Sequence, residues 1–211
     1  MRKKISIVCM TVGVLLIAAA ISLAIYNRLQ EEHAAEAAER VLSLLHQEIE
    51  ANPNANEPDS NPPETDTEPP SEKIDSDKMT VIEIDGYGYI GYLSLPALGL
   101  ELPVLSEWDY TRLKTAPCLY YGSVKTDNMV IAAHNYTRHF GKLSQLKPGD
   151  TIRFTDMDGT VYTYQVGDLE ILPPTATEEM ITSDWELSLY TCTYGGGSRV
   201  TVRCERTDGK R

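Results

Sequence analysis

From Met79 to the end, this chain is written in short apolar or alternating runs separated by turn-forming residues, a pattern that restricts the segment to an all-β domain. Strands are read near Tyr89 to Leu95, Glu101 to Leu105, Met129 to Ala133, Thr151 to Thr155, Val161 to Leu172, Trp185 to Thr193 and Arg199 to Glu205. Lys147-Pro148-Gly149-Asp150 and Asp156-Met157-Asp158-Gly159 read as turns. Trp108 to Lys114 and Thr137 to Gln145 read as short helices. No internal repeat is visible, and about 130 residues of this kind make one closed barrel or sandwich core.

What precedes Met79 is different. Arg2, Lys3 and Lys4 lead into an uncharged run from Ile5 to Ile25, and about 20 apolar residues let a helix cross the hydrocarbon core. The basic residues in front of it predict a cytoplasmic N-terminus with everything after residue 25 outside. A cleaved signal peptide is the competing reading, since Ala18 to Ala20 could serve a peptidase, but its apolar region usually runs only about 7 to 15 residues. Leu29, Ala37, Val41, Leu44 and Leu45 then recur at roughly helical spacing, giving a helical stalk over 26–50. Residues 51–78 hold six prolines and eight acidic residues with almost nothing apolar, the composition of a disordered, charge-extended tether. The expected organisation is therefore a cytoplasmic tail (1–4), a membrane anchor (5–25), a stalk (26–50), a linker (51–78) and a β domain (79–211).

The net charge of −12 argues against nucleic acid as a partner, and half of it lies in the linker. Cys9 falls in the membrane segment. Cys118, Cys192 and Cys204 remain outside, and an odd number leaves at least one unpaired thiol, whichever pairing the others adopt.

Three residues at strand ends carry chemistry. Cys192 closes one apolar run, Arg199 opens the next, and His134 follows Met129 to Ala133. A cysteine attacks a peptide carbonyl as the thiolate, so it needs a base or cation nearby, and the oxyanion it creates needs a donor. His139 is an alternative base, and Arg203 shares a strand face with Arg199 by period two. The triple glycine 195–197 lacks the Lys-Ser/Thr of a phosphate loop and reads as a hairpin connection. His134 and His139 lack a third metal ligand, and neither a metal nor another cofactor is expected.

Leu189-Tyr190-Thr191-Cys192 resembles the Leu-x-Thr-Cys motif of the sortases, the membrane-anchored cysteine transpeptidases of Gram-positive bacteria. Val130 to Asn135 resembles their strand-end histidine motif. Phe140-Gly141-Lys142-Leu143 with Lys147 to Asp150 resembles the segment after it, and Arg199 to Val202 resembles their arginine-led last strand. The resemblance spans roughly residues 89–206. It implies a closed eight-stranded β-barrel with short helices behind an N-terminal membrane helix, acting at the cell surface. Cys192 would be the nucleophile, His134 the general acid and base, and Arg199 the holder of oxyanion and substrate backbone. The substrate implied is a secreted protein with a C-terminal sorting signal, and the acceptor an amine on peptidoglycan or a pilin.

Asn135 after the histidine and Thr191-Cys192-Thr193-Tyr194 look closest to class B-like sortases, although the short loop 193–198 leaves little room for the helix of that class. The lid and second membrane segment of class C enzymes are not apparent. Two other functions fit the same residue types: a papain-like hydrolase, and a non-catalytic binding module on a stalk. The first fits poorly, because the cysteine ends a strand and does not open a helix.

Overall fold

The computed structural model describes residues 2–51 and 78–209, so nearly all of the linker assigned to 51–78 lies outside the described residues. Helix α1 (Arg2–Ala51) is followed by nine strands: β1 (Ile82–Ile84), β2 (Tyr87–Leu95), β3 (Leu100–Leu105), β4 (Cys118–Tyr121), β5 (Met129–Ala132), β6 (Thr151–Asp156), β7 (Val161–Leu172), β8 (Leu187–Cys192) and β9 (Arg199–Arg206). A short helix, α2 (Thr177–Ile181), lies between β7 and β8. The strand order is β1-β2-β3-β4-β5-β8-β9-β7-β6, and β6 pairs back onto β2. Strands β2 to β9 thus form the closed eight-stranded barrel expected from the sequence, with β1 an appended hairpin partner of β2.

Two strands and one helix were not anticipated. β1 is joined to β2 by Asp85-Gly86, both at positive φ, which is the turn chemistry of a two-residue hairpin. β4 has only four residues and follows a proline, too short to show alternation. α2 spans five residues, below the length at which a helical period can be read. The helices expected at 108–114 and 137–145 reduce to single 3-10 turns at Arg112–Lys114 and Leu143–Gln145.

Alternation along the strands divides the side chains between two clusters. Ile131, Ala133, Leu187, Leu189, Val202 and Cys204 point into the barrel with Phe140 and Phe154. The opposite face of β2 to β5 presents Tyr89, Leu105, Cys118 and Ala132, and Val41 and Leu45 of α1 lie on it. Leu45 is fully buried there, a contact of about 2 kcal/mol by transfer free energy. The half of α1 read as a stalk therefore lies along the barrel wall. Its first half includes Met10–Leu29, apolar and long enough to cross a membrane, with no part covered by the barrel.

Candidate active site

The position of the site follows from one unusual pairing. β5 and β8 run parallel, with Ala132 opposite Tyr190. Two residues beyond that pair, on the same rim, lie His134 and Cys192. The rim is locked by Thr191, whose buried hydroxyl donates to the Ala133 carbonyl at 2.8 Å, and by the Ala133 amide, which donates to the Tyr190 carbonyl at 3.2 Å. β9 runs antiparallel to β8 and pairs Arg199 directly with Cys192. Since Leu187 and Leu189 point inward, as do Val200 and Val202, Cys192 and Arg199 project from the outer face as cross-strand neighbours.

The three sequence candidates are thus brought to one place, and their rivals are not. His139 is fully buried beneath Tyr136, where an imidazole has no route to an incoming amine. Arg203 is buried too, and its guanidinium is committed. It donates from Nε to Glu170 at 3.2 Å, from Nη1 to Ser188 at 2.9 Å, and from Nη2 to the Glu179 carbonyl at 2.9 Å. Arg203 fastens α2 to the barrel. Cys118 and Cys204 are free and buried, so the third thiol, Cys192, is the half-exposed one. Burial raises the Cys118 thiol to about 12 and that of Cys204 still higher, which leaves both inert at neutral pH.

The imidazole of His134 lies between two aromatic rings. Tyr136 stacks on it at 4.9 Å and Tyr110 meets it edge-on at 5.8 Å. Burial lowers its pKa, and the nearby Lys114 ammonium lowers it further, so the neutral imidazole is favoured. Arg199 donates from Nη1 to the carbonyls of Gly196 at 3.1 Å and Ser198 at 3.2 Å, within the glycine-rich hairpin between β8 and β9. A guanidinium carries five donors, so these two bonds do not exhaust it.

Beside Arg199 is a groove lined by Trp108, Tyr120, Tyr190, Pro173, Ala176 and Met180. Trp108 and Tyr190 each meet Tyr120 edge-on, at 5.8 and 5.4 Å. The walls of the groove are aromatic and aliphatic side chains, with Arg199 among the residues that line it. Sequence reading had missed Tyr110, Tyr136, Trp108, Tyr120 and the wall made by α2. The aromatics come from separate loops and strands, so only the fold gathers them. Among the described residues, no three His, Cys, Asp or Glu side chains cluster as a metal site would require.

The family model described as the sortase domain matches residues 93–207, more than half of the chain and the barrel from the last three residues of β2 onward. The chain belongs to the sortase family. It is therefore a cysteine transpeptidase by family. Sortase C1 from Streptococcus agalactiae is similar at 27% identity and a TM-score of 0.52, over 61% of this chain and 72% of that one. Sortase C from Clostridium perfringens, solved with the C-terminal cell wall sorting motif, is similar at 27% identity and a TM-score of 0.50, over 57% and 71%. Sortase A from Corynebacterium diphtheriae shares the fold at 23% identity and a TM-score of 0.52, over 58% and 62%. These sortases are of classes C and A, whereas the motifs around His134 and Cys192 had looked closest to class B. The β8–β9 connection is a hairpin of turns without a helix. No curated protein matches the chain.

Proposed function

We propose that this sortase cleaves a C-terminal sorting signal through a thioester on Cys192 and transfers the acyl group to an amine at the cell surface. His134, neutral at rest, takes the proton of the Cys192 thiol, and the resulting thiolate attacks the scissile carbonyl carbon. As the tetrahedral intermediate collapses, the C–N bond breaks, His134 gives its proton to the departing amine, and the acyl group remains on sulfur. The acceptor amine then attacks the thioester, His134 takes a proton from it, and the departing Cys192 sulfur receives that proton from His134, which restores the resting site. Arg199 donates to the oxyanion in both steps and to the peptide backbone lying in the groove. The observation that carries this reading is the rim itself, where Cys192 is the register partner of Arg199 and stands level with His134 across the β5–β8 pair.

The Clostridium perfringens sortase solved with a sorting motif supports a sorting signal as the substrate class. The acceptor is an amine on peptidoglycan or on a pilin. The span within α1 anchors the chain, with Arg2 to Lys4 holding the N-terminus in the cytoplasm and the barrel outside. The test is product analysis: a sorting-signal peptide plus an amine should give the amide of the two, and Cys192→Ala should give none. Only hydrolysed peptide, whatever the amine concentration, would refute transfer.

A further inference from the structure

α1 does more than tether the barrel. Tyr26, Asn27 and Arg28 lie at the end of the span Met10–Leu29, where the first charged residue after the apolar run marks the level at which the helix leaves the hydrocarbon. Those three residues, with Ala24 and Glu32, form one side of a cleft of about 930 Å³. The other side is the active-site rim: Asn135 to Arg138 from the loop after His134, Lys114, and Tyr194 from the hairpin after Cys192. The helix is held in this position by the buried Val41 and Leu45 and by His46, whose ring meets Tyr92 edge-on at 4.6 Å. The Arg138–Glu39 ion pair at 2.9 Å adds a link from the helix to the loop that follows His134.

The two sides of the cleft and the rim beside it have the composition of a membrane interface. Tyr194 is 91% exposed, Tyr110 67%, Tyr26 59% and Trp108 45%, and exposed tyrosine and tryptophan of this kind settle at the headgroup level of a bilayer. Arg28, Lys114 and Arg138 line the cleft with Tyr26 and Tyr194; Arg28 pairs with Glu32 and Arg138 with Glu39. The headgroup layer is about 5 to 8 Å thick on each side of the hydrocarbon, and the helix rises about 1.5 Å per residue. Residues 26–28 with Tyr194 opposite them therefore fit within that layer.

We propose that the rim carrying Cys192, His134 and Arg199 rests on the phospholipid headgroup layer, held there by docking of α1 along the barrel wall. This rests on the reading of α1 as an uncleaved anchor.

The test uses the full chain in vesicles of phosphatidylethanolamine and phosphatidylglycerol. An environment-sensitive dye is placed at Tyr194→Cys, or at Tyr121→Cys on the opposite rim, each in a Cys192→Ala background whose own labelling is subtracted. Flotation with the vesicles reports the anchor, and quenching by a headgroup spin label reports depth. The expected result is a chain that floats with the Tyr194 probe quenched several-fold more than the Tyr121 probe. Leu45→Asp, which undocks α1, should still float and lose that difference. A floating chain with both probes quenched alike overturns the proposal, and a chain that does not float overturns it together with the anchor. Thioester formation on the intact Cys192 with a soluble peptide, measured separately, reports the transpeptidase reading, which neither outcome touches.

Discussion

At the residue scale, His134 is the group whose environment makes the sharpest prediction. Burial among Tyr110 and Tyr136, with Lys114 nearby, lowers its pKa from the ordinary 6.5. Titrated by NMR, it should fall below that value, and Lys114→Gln should move it up. The folded chain then binds this proton less readily than the unfolded one. The contribution to stability is therefore intact above about 6.5 and is lost as pH falls through the lowered folded value. Thr191→Val keeps the shape of a buried residue but leaves the Ala133 carbonyl without its 2.8 Å donor. Such a loss costs about 1 to 3 kcal/mol, readable in urea unfolding, and should lower turnover by loosening the rim between His134 and Cys192. Arg199→Lys retains the charge and loses the planar fork, so kcat/KM should drop about 100-fold, the scale of one lost oxyanion donor. Cys192, His134 and Arg199 could be picked out as candidates because each ends or opens an apolar run. Their rivals His139 and Arg203 could be set aside only once burial and hydrogen bonds were known, because periodicity alone puts Arg203 on the same face as Arg199.

At the scale of elements, closure of the barrel depends on β2 approaching β6. Gly91 sits at φ +142 with its α-carbon against the Thr155 carbonyl, where a Cβ would overlap the backbone. Gly91→Ala should destabilise the barrel by at least about 2 kcal/mol through strain at a conformation reserved for glycine, measured by thermal or urea denaturation. Arg203 binds α2 to β8 and β9, so Arg203→Ala should cost about 1 to 3 kcal/mol, the scale of lost hydrogen bonds to a charged group, since its ionic partner Glu170 is half-buried. It should also raise KM more than it lowers kcat, since α2 lines the groove and does not touch the reacting atoms. The long alternating strands β7 and β9 were legible because twelve and eight residues display a period. β4 was not, because four residues show none. β1 could have been read from Asp85-Gly86 between two alternating runs, a turn signal strong enough to have called for a strand on each side.

At the scale of the whole molecule, the fold does two separable jobs. The closed barrel makes one rim rigid, so Cys192 and Arg199, at the ends of two paired strands, and His134, two residues beyond a third, hold fixed positions. The amphipathic half of α1 then fixes where that rim stands relative to the apolar half. Neither job shows in the net charge, half of which resides in the segment between helix and barrel. The barrel could be foreseen from alternation and turns, whereas the lie of α1 along β2 and β3 depended on an outer apolar face that appears only when the strands are paired.

The most direct test of the central claim is intact-mass spectrometry of the chain incubated with a panel of sorting-signal peptides, followed by addition of hydroxylamine. The account predicts an acyl adduct mapping to Cys192, released by hydroxylamine as the peptide hydroxamate, and absent from Cys192→Ala. Peptide cleavage that persists in Cys192→Ala, or an adduct mapping to another residue, would contradict it.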